Sequence, residues 1–171
     1  MTISQAKQDR IEVYRFNPFV TLGIPFLALV MQAFIPVKLH FFSAFDLPLL
    51  VTIFFAVARR SPISGCLTGA AIGLLQDALT HQPLGVYGMA KSVIGYSASS
   101  LGAKIDVENP GSRLLMTFGF FLIHEAIYII VARGLVGMNL TWLWGRELRD
   151  AFANAVLAVV VFAVLDKVKQ Q

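Results

Sequence analysis

The sequence predicts an all-α integral membrane protein, a single bundle of about six transmembrane helices. Three observations carry that prediction. The chain is 57% hydrophobic and only 14% charged, with a mean hydropathy of +0.71, whereas water-facing domains hold their apolar share nearer half. Its apolar residues gather in runs close to the roughly 20 residues a helix needs to cross a bilayer. Its basic residues stand at the ends of those runs, where they set topology, and do not form the stripe of a nucleic-acid binder.

Residues 1–16, MTISQAKQDRIEVYRF, are polar and mixed in charge, and the run after them lacks a small-x-small cleavage site. They read as a cytoplasmic segment and not as a removable signal. A polytopic helical domain over 17–167 follows, then a short cytoplasmic tail at 168–171. Within the domain, apolar windows predict helices at about 18–37, 41–58, 62–80, 83–103, 112–133 and 151–166, the second and sixth being short. No Gly/Ser linker, charge run, low-complexity block or internal repeat divides them, so the chain reads as one domain.

Six helices put both termini on one side. Placing that side in the cytoplasm sets Lys7, Arg10, Arg15, Arg59, Arg60, Lys104, Arg113, Lys167 and Lys169 inside, nine of the 14 basic residues. Lys38, Arg133, Arg146 and Arg149 fall outside, and Lys91 lies within a span. The positive-inside rule selects this orientation. The main outer connection, MNLTWLWGRELRD at 138–150, sets Trp142 and Trp144 beside Arg146 and Arg149. It reads as an interfacial anchor, with a partner-docking surface as the alternative.

The third and fourth helices carry the unusual pattern. Gly65, Gly69 and Gly73 recur every four residues, and Asp77 continues the same stripe. Gly88, Ser92, Gly95, Ser99 and Gly102 make a matching small-residue face on the fourth helix, joined to the third by the loop Thr80 to Gln82. Such faces let backbones approach closely. They predict either internal packing of a tight hairpin or a groove for a partner helix.

Asp77, Lys91 and Glu125 fall within predicted spans, where ionisable groups are costly and need partners. Counted from the outer helix ends, Lys91 and Glu125 each lie about eight residues in, roughly 12 Å at 1.5 Å per residue. The expectation is a direct Lys91–Glu125 ion pair within a buried polar cluster of Asp77, Lys91, His124 and Glu125, with Gln76 nearby. Asp77 reaches Lys91 only through the long lysine stem or a bridging water. The cluster reads as a clip fixing helix register, as partner docking, or as a proton or substrate path.

No cofactor, metal or catalytic residue is expected. Cys66 is alone, and His40, His81 and His124 are widely separated, so no disulfide, CxxC or metal-ligand spacing exists. No HExxH, GxSxG, phosphate loop or paired carboxylate offers a catalytic set.

The stretch from Gly69 to Gly95, GAAIGLLQDALTHQPLGVYGMAKSVIG, resembles the family of the rod shape-determining protein MreD. The match lies in a glycine-rich helix ending G-L-x-x-D at Gly73, Leu74 and Asp77, then P-L-G at Pro83, Leu84 and Gly85. Asp46, Leu47 and Pro48 add a further point of similarity, as do the overall length and the dense spans. The resemblance implies a non-catalytic subunit of the bacterial elongation machinery in the cytoplasmic (inner) membrane, helping to maintain cell shape. Its implied partners are the scaffold MreC, the MreB filament, RodA and a penicillin-binding transpeptidase, with the lipid bilayer as surroundings.

The same resemblance implies a fold similar to substrate-binding subunits of energy-coupling factor transporters. That supplies an alternative reading, a subunit binding a vitamin or small molecule in an outward pocket. Tyr87, Tyr96, Tyr128 and the two tryptophans are available to wall such a pocket.

Overall fold

The protein is described by a computed structural model covering residues 18–102, 104–105 and 109–167. The expected cytoplasmic segment 1–16 and tail 168–171 lie outside the described residues. Among the described residues there are six α-helices: α1 Pro18–Lys38, α2 Leu47–Arg59, α3 Pro62–Leu79, α4 Val86–Gly102, α5 Pro110–Gly134 and α6 Trp144–Asp166. A short 3-10 helix at His40–Ala44 precedes α2, and no strand is present among them. Four stretches, Phe19–Lys38, Phe41–Arg59, Pro110–Gly134 and Trp144–Asp166, are long and apolar enough to cross a membrane.

Local chemistry fixes most helix ends. Asp46 caps α2 by accepting the Leu49 N–H at 2.9 Å, and Pro48, which lacks an N–H, occupies the first turn where none is needed. Helix α2 ends at Arg60 in the left-handed conformation, and α3 restarts at once behind Ser61 with Pro62 in its first turn. Asn109 caps α5 through Gly111, again with proline in the first turn.

Two expected boundaries are corrected. The second span is not one helix from 41 to 58, because Phe45 and Asp46 hold extended or irregular backbone between the 3-10 turn and α2. The sixth helix begins at Trp144 and not at 151, so the polar residues expected in an outer connection form its first two turns. Glu147, Asp150, Asn154 and Ala158 recur at helical spacing and are all buried, so this polar stripe faces the bundle.

Successive helices alternate in direction. Arg59 at the end of α2 bonds Thr21 near the start of α1 and Ser64 near the start of α3. Ser99 late in α4 donates to the Ala56 carbonyl late in α2. Arg113 at the start of α5 pairs with Asp166 at the end of α6 at 2.6 Å. Helix α2 is the axis of the bundle: every residue from Pro48 to Ala58 is buried, as expected for a helix apolar all round. Its Phe54 and Phe55 share one apolar cluster with Phe120, Phe121 and Phe162.

Helix α1, by contrast, leaves Phe19, Leu22, Phe26 and Phe34 exposed on its outer face. Because lipid tails are as apolar as these side chains, burial among apolar groups adds little driving force within a bilayer. Close backbone packing and polar pairs then do the specifying, and both concentrate around α4.

Candidate functional site

The small-residue faces of α3 and α4 meet each other. A Cβ added at Gly69 would overlap the Lys91 carbonyl, one at Gly73 the Tyr87 carbonyl, and one at Gly65 the Gly95 carbonyl and the Ser99 hydroxyl. Gly95 in turn admits the Gly65 carbonyl, and Gly88 lies against the Leu74 side chain. Ser92 turns inward on its own helix, donating to the Gly88 carbonyl at 2.6 Å. The hairpin is therefore packed backbone to backbone along the face formed by Gly65, Gly69 and Gly73.

Asp77 closes the hairpin tip. Its carboxylate accepts N–H groups from Gly85 at 2.8 Å, Tyr87 at 3.0 Å and Gly88 at 3.2 Å. It thereby satisfies donors that the start of α4 leaves without intrahelical partners. Gly85 has φ 103°, a conformation that side-chain-bearing residues rarely adopt. Pro83 accepts from the Val86 N–H in the same turn, and Leu84 stands exposed. The G-L-x-x-D and P-L-G motifs are one device, an acid at the end of one helix capping the next across a glycine turn.

Lys91 is wholly buried, and its partner is Asp46, with Nζ 2.6 Å from Oδ2. This corrects the expected direct pairing with Glu125. Nζ also lies 3.2 Å from Nε2 of His124. An ammonium only donates, so Nε2 accepts and the ring proton sits on Nδ1, which donates to Glu125 at 3.3 Å. Glu125 thus enters the chain one link away, through the imidazole. The result is a continuous line Asp46, Lys91, His124, Glu125 across α2, α4 and α5, and Asp77 stands outside it.

Neighbouring helices tie into the same point. Asn154 of α6 accepts the Asp46 N–H at 3.0 Å and donates to the Ala44 and Asp150 carbonyls. Gln32 of α1 donates to the Phe45 carbonyl and accepts the Leu47 N–H. Tyr87 lies beneath Nζ of Lys91, 4.8 Å from ring centre, and stacks on His124 and Tyr128. Five helices and the 3-10 turn therefore converge on the irregular backbone at Phe45 and Asp46.

Asp46, Asn154 and Gln32 were not among the expected cluster residues. Asp46 did carry a signal, a capping acid two residues before proline at the end of the second span that lies nearer the start of the fourth helix, which carries Lys91. What the sequence lacked was the side-by-side placement of α2 and α4. Beside this line a polar cavity of about 220 Å³ is bordered by Gln32, Asp46, Gln76, Glu125, Tyr128 and Glu147, among others. Among the described residues, no group of three His, Cys, Asp or Glu side chains is placed to hold a metal ion.

The family model described as rod shape-determining protein MreD matches residues 14–168. No curated protein and no solved structure matches the chain.

Proposed function

The chain belongs to the MreD family of rod shape-determining proteins, and from that membership, which gives it a role in determining rod shape, we infer that it acts as a non-catalytic subunit of the elongation complex. In this reading it lies in the bacterial cytoplasmic membrane with both termini inside. It links the MreC scaffold and the MreB cytoskeleton to the peptidoglycan synthases, RodA and its penicillin-binding transpeptidase.

The observation that carries the reading is the family match over nearly the whole chain. The geometry agrees with assembly in preference to chemistry. Lys91, wholly buried, is engaged by Asp46 and His124 and presents no activated nucleophile. The Gly65, Gly69 and Gly73 face is filled by α4, so partner contacts fall to other surfaces.

Depletion of the chain in a rod-shaped host tests the reading. Cells should round up and lose side-wall incorporation of a labelled cell-wall precursor, and re-expression should restore both. Cells that stay rod-shaped with unchanged side-wall labelling would overturn it.

A further inference from the structure

The cavity beside the ionic line is bordered by four carboxylates, Asp46, Glu125, Glu147 and Asp150, and by the cationic side chain of Arg146. Glu147 is buried to 7% exposure and borders the cavity, yet its carboxylate has no hydrogen bond or ion pair among the described residues. Gln76, at 2% exposure, also borders it, and its Oε1 is buried with no hydrogen-bond partner. Unsatisfied buried acceptors are uncommon in native proteins, and an unpaired buried carboxylate is costlier still.

The other charges around the cavity are already accounted for. Asp46 is held by Lys91, and Asp150 by Arg146 and Arg149 at 3.7 and 3.1 Å. Glu125 has only the imidazole of His124, 3.3 Å away, and its side chain keeps 21% exposure. Among the described residues, two carboxylates, Glu147 and Glu125, are left without an ion pair to a lysine or arginine, although Arg146 also borders the cavity, and Gln76 borders it with them.

We propose that this cavity binds a small organic cation through a primary ammonium group, which donates to Glu147, Glu125 and the Gln76 amide oxygen. An ammonium brings three donors and a positive charge, matching acceptors of that number and sign. A metal ion fits less well, because no group of ligands among the described residues is placed to hold one. A quaternary ammonium carries charge but no donor, so it leaves Gln76 unsatisfied. The volume of about 220 Å³ is below the roughly 300 Å³ at which drug-sized sites begin, which limits the occupant to a small amine or an amine-bearing headgroup.

The test is thermal unfolding of the purified full chain in mild detergent at fixed ionic strength, with 1,4-diaminobutane, ethanolamine or choline added. The two primary amines should raise the unfolding temperature in a concentration-dependent way, and choline should not. Glu147→Gln should abolish the amine response, and it should unfold at a higher temperature than the parent chain without amine, because the unpaired charge is gone. Gln76→Leu, a second and milder variant, should shift the midpoint of the amine response by about tenfold.

Nanodiscs distinguish the source of the amine. If phosphatidylethanolamine stabilises relative to phosphatidylcholine and free amine then adds nothing, the ligand is a lipid headgroup; stabilisation by free amine in both lipids marks a soluble ligand. Equal effects of choline and the primary amines, or an undiminished response in both variants, would overturn the proposal.

Discussion

At the scale of single residues, the decisive pair is Lys91 with Asp46. Both are buried, and removing one partner strands the other's charge. Lys91→Met should therefore lower stability by about 3–5 kcal/mol, and Lys91→Met combined with Asp46→Asn should recover much of that loss. Unfolding titrations of the purified variants check this, and equal losses in the single and double variants would count against the pairing. Exchanging the charges of Lys91 and Glu125 should give no rescue, since His124 lies between them. Asp77→Asn tests the hairpin tip separately. An amide keeps one acceptor oxygen for three backbone N–H groups, and the loss should be about 1–2 kcal/mol by the same titration.

At the scale of elements, the α3–α4 hairpin leaves no room for side chains on its inner face. Gly69→Ala places a methyl on the Lys91 carbonyl and should cost about 1–3 kcal/mol, seen as reduced accumulation and a lower unfolding temperature. Gly119→Ala in α5 is the matched control. Nothing lies within 4 Å of its added Cβ, so it should be neutral or stabilising by up to about 1 kcal/mol. Equal effects at both positions would show that the close approach does not matter.

This hairpin was legible in the sequence because its information is local: glycines at a four-residue spacing, then an acid, then Pro83, Leu84 and Gly85. The start of α6 was hidden for the opposite reason. Apolar windows miss Glu147, Asp150 and Asn154, although their spacing of three and four places them on one helix face. The Asp46 contact was hidden because depth along neighbouring helices in sequence says nothing about which helices stand side by side.

At the scale of the molecule, alternating helices bring the ends of α2 and α6 and the starts of α3 and α5 to one end of the bundle, with Arg59, Arg60, Lys104, Arg113 and Lys167 near it. Lys38, Arg133, Arg146 and Arg149 gather toward the other. By the positive-inside rule we propose that the first of these ends is the cytoplasmic one. A single cysteine at Leu84, in a chain whose Cys66 is replaced by serine, should be labelled by an impermeant maleimide from outside the cell; labelling only after permeabilisation would invert the orientation.

We propose that this bundle works by assembly. The direct measurement is mass spectrometry of what co-purifies with a tagged copy from native membranes in mild detergent. Recovery of MreC with RodA or its partner transpeptidase is the predicted result; recovery of transporter ATPases without any of these proteins would contradict it.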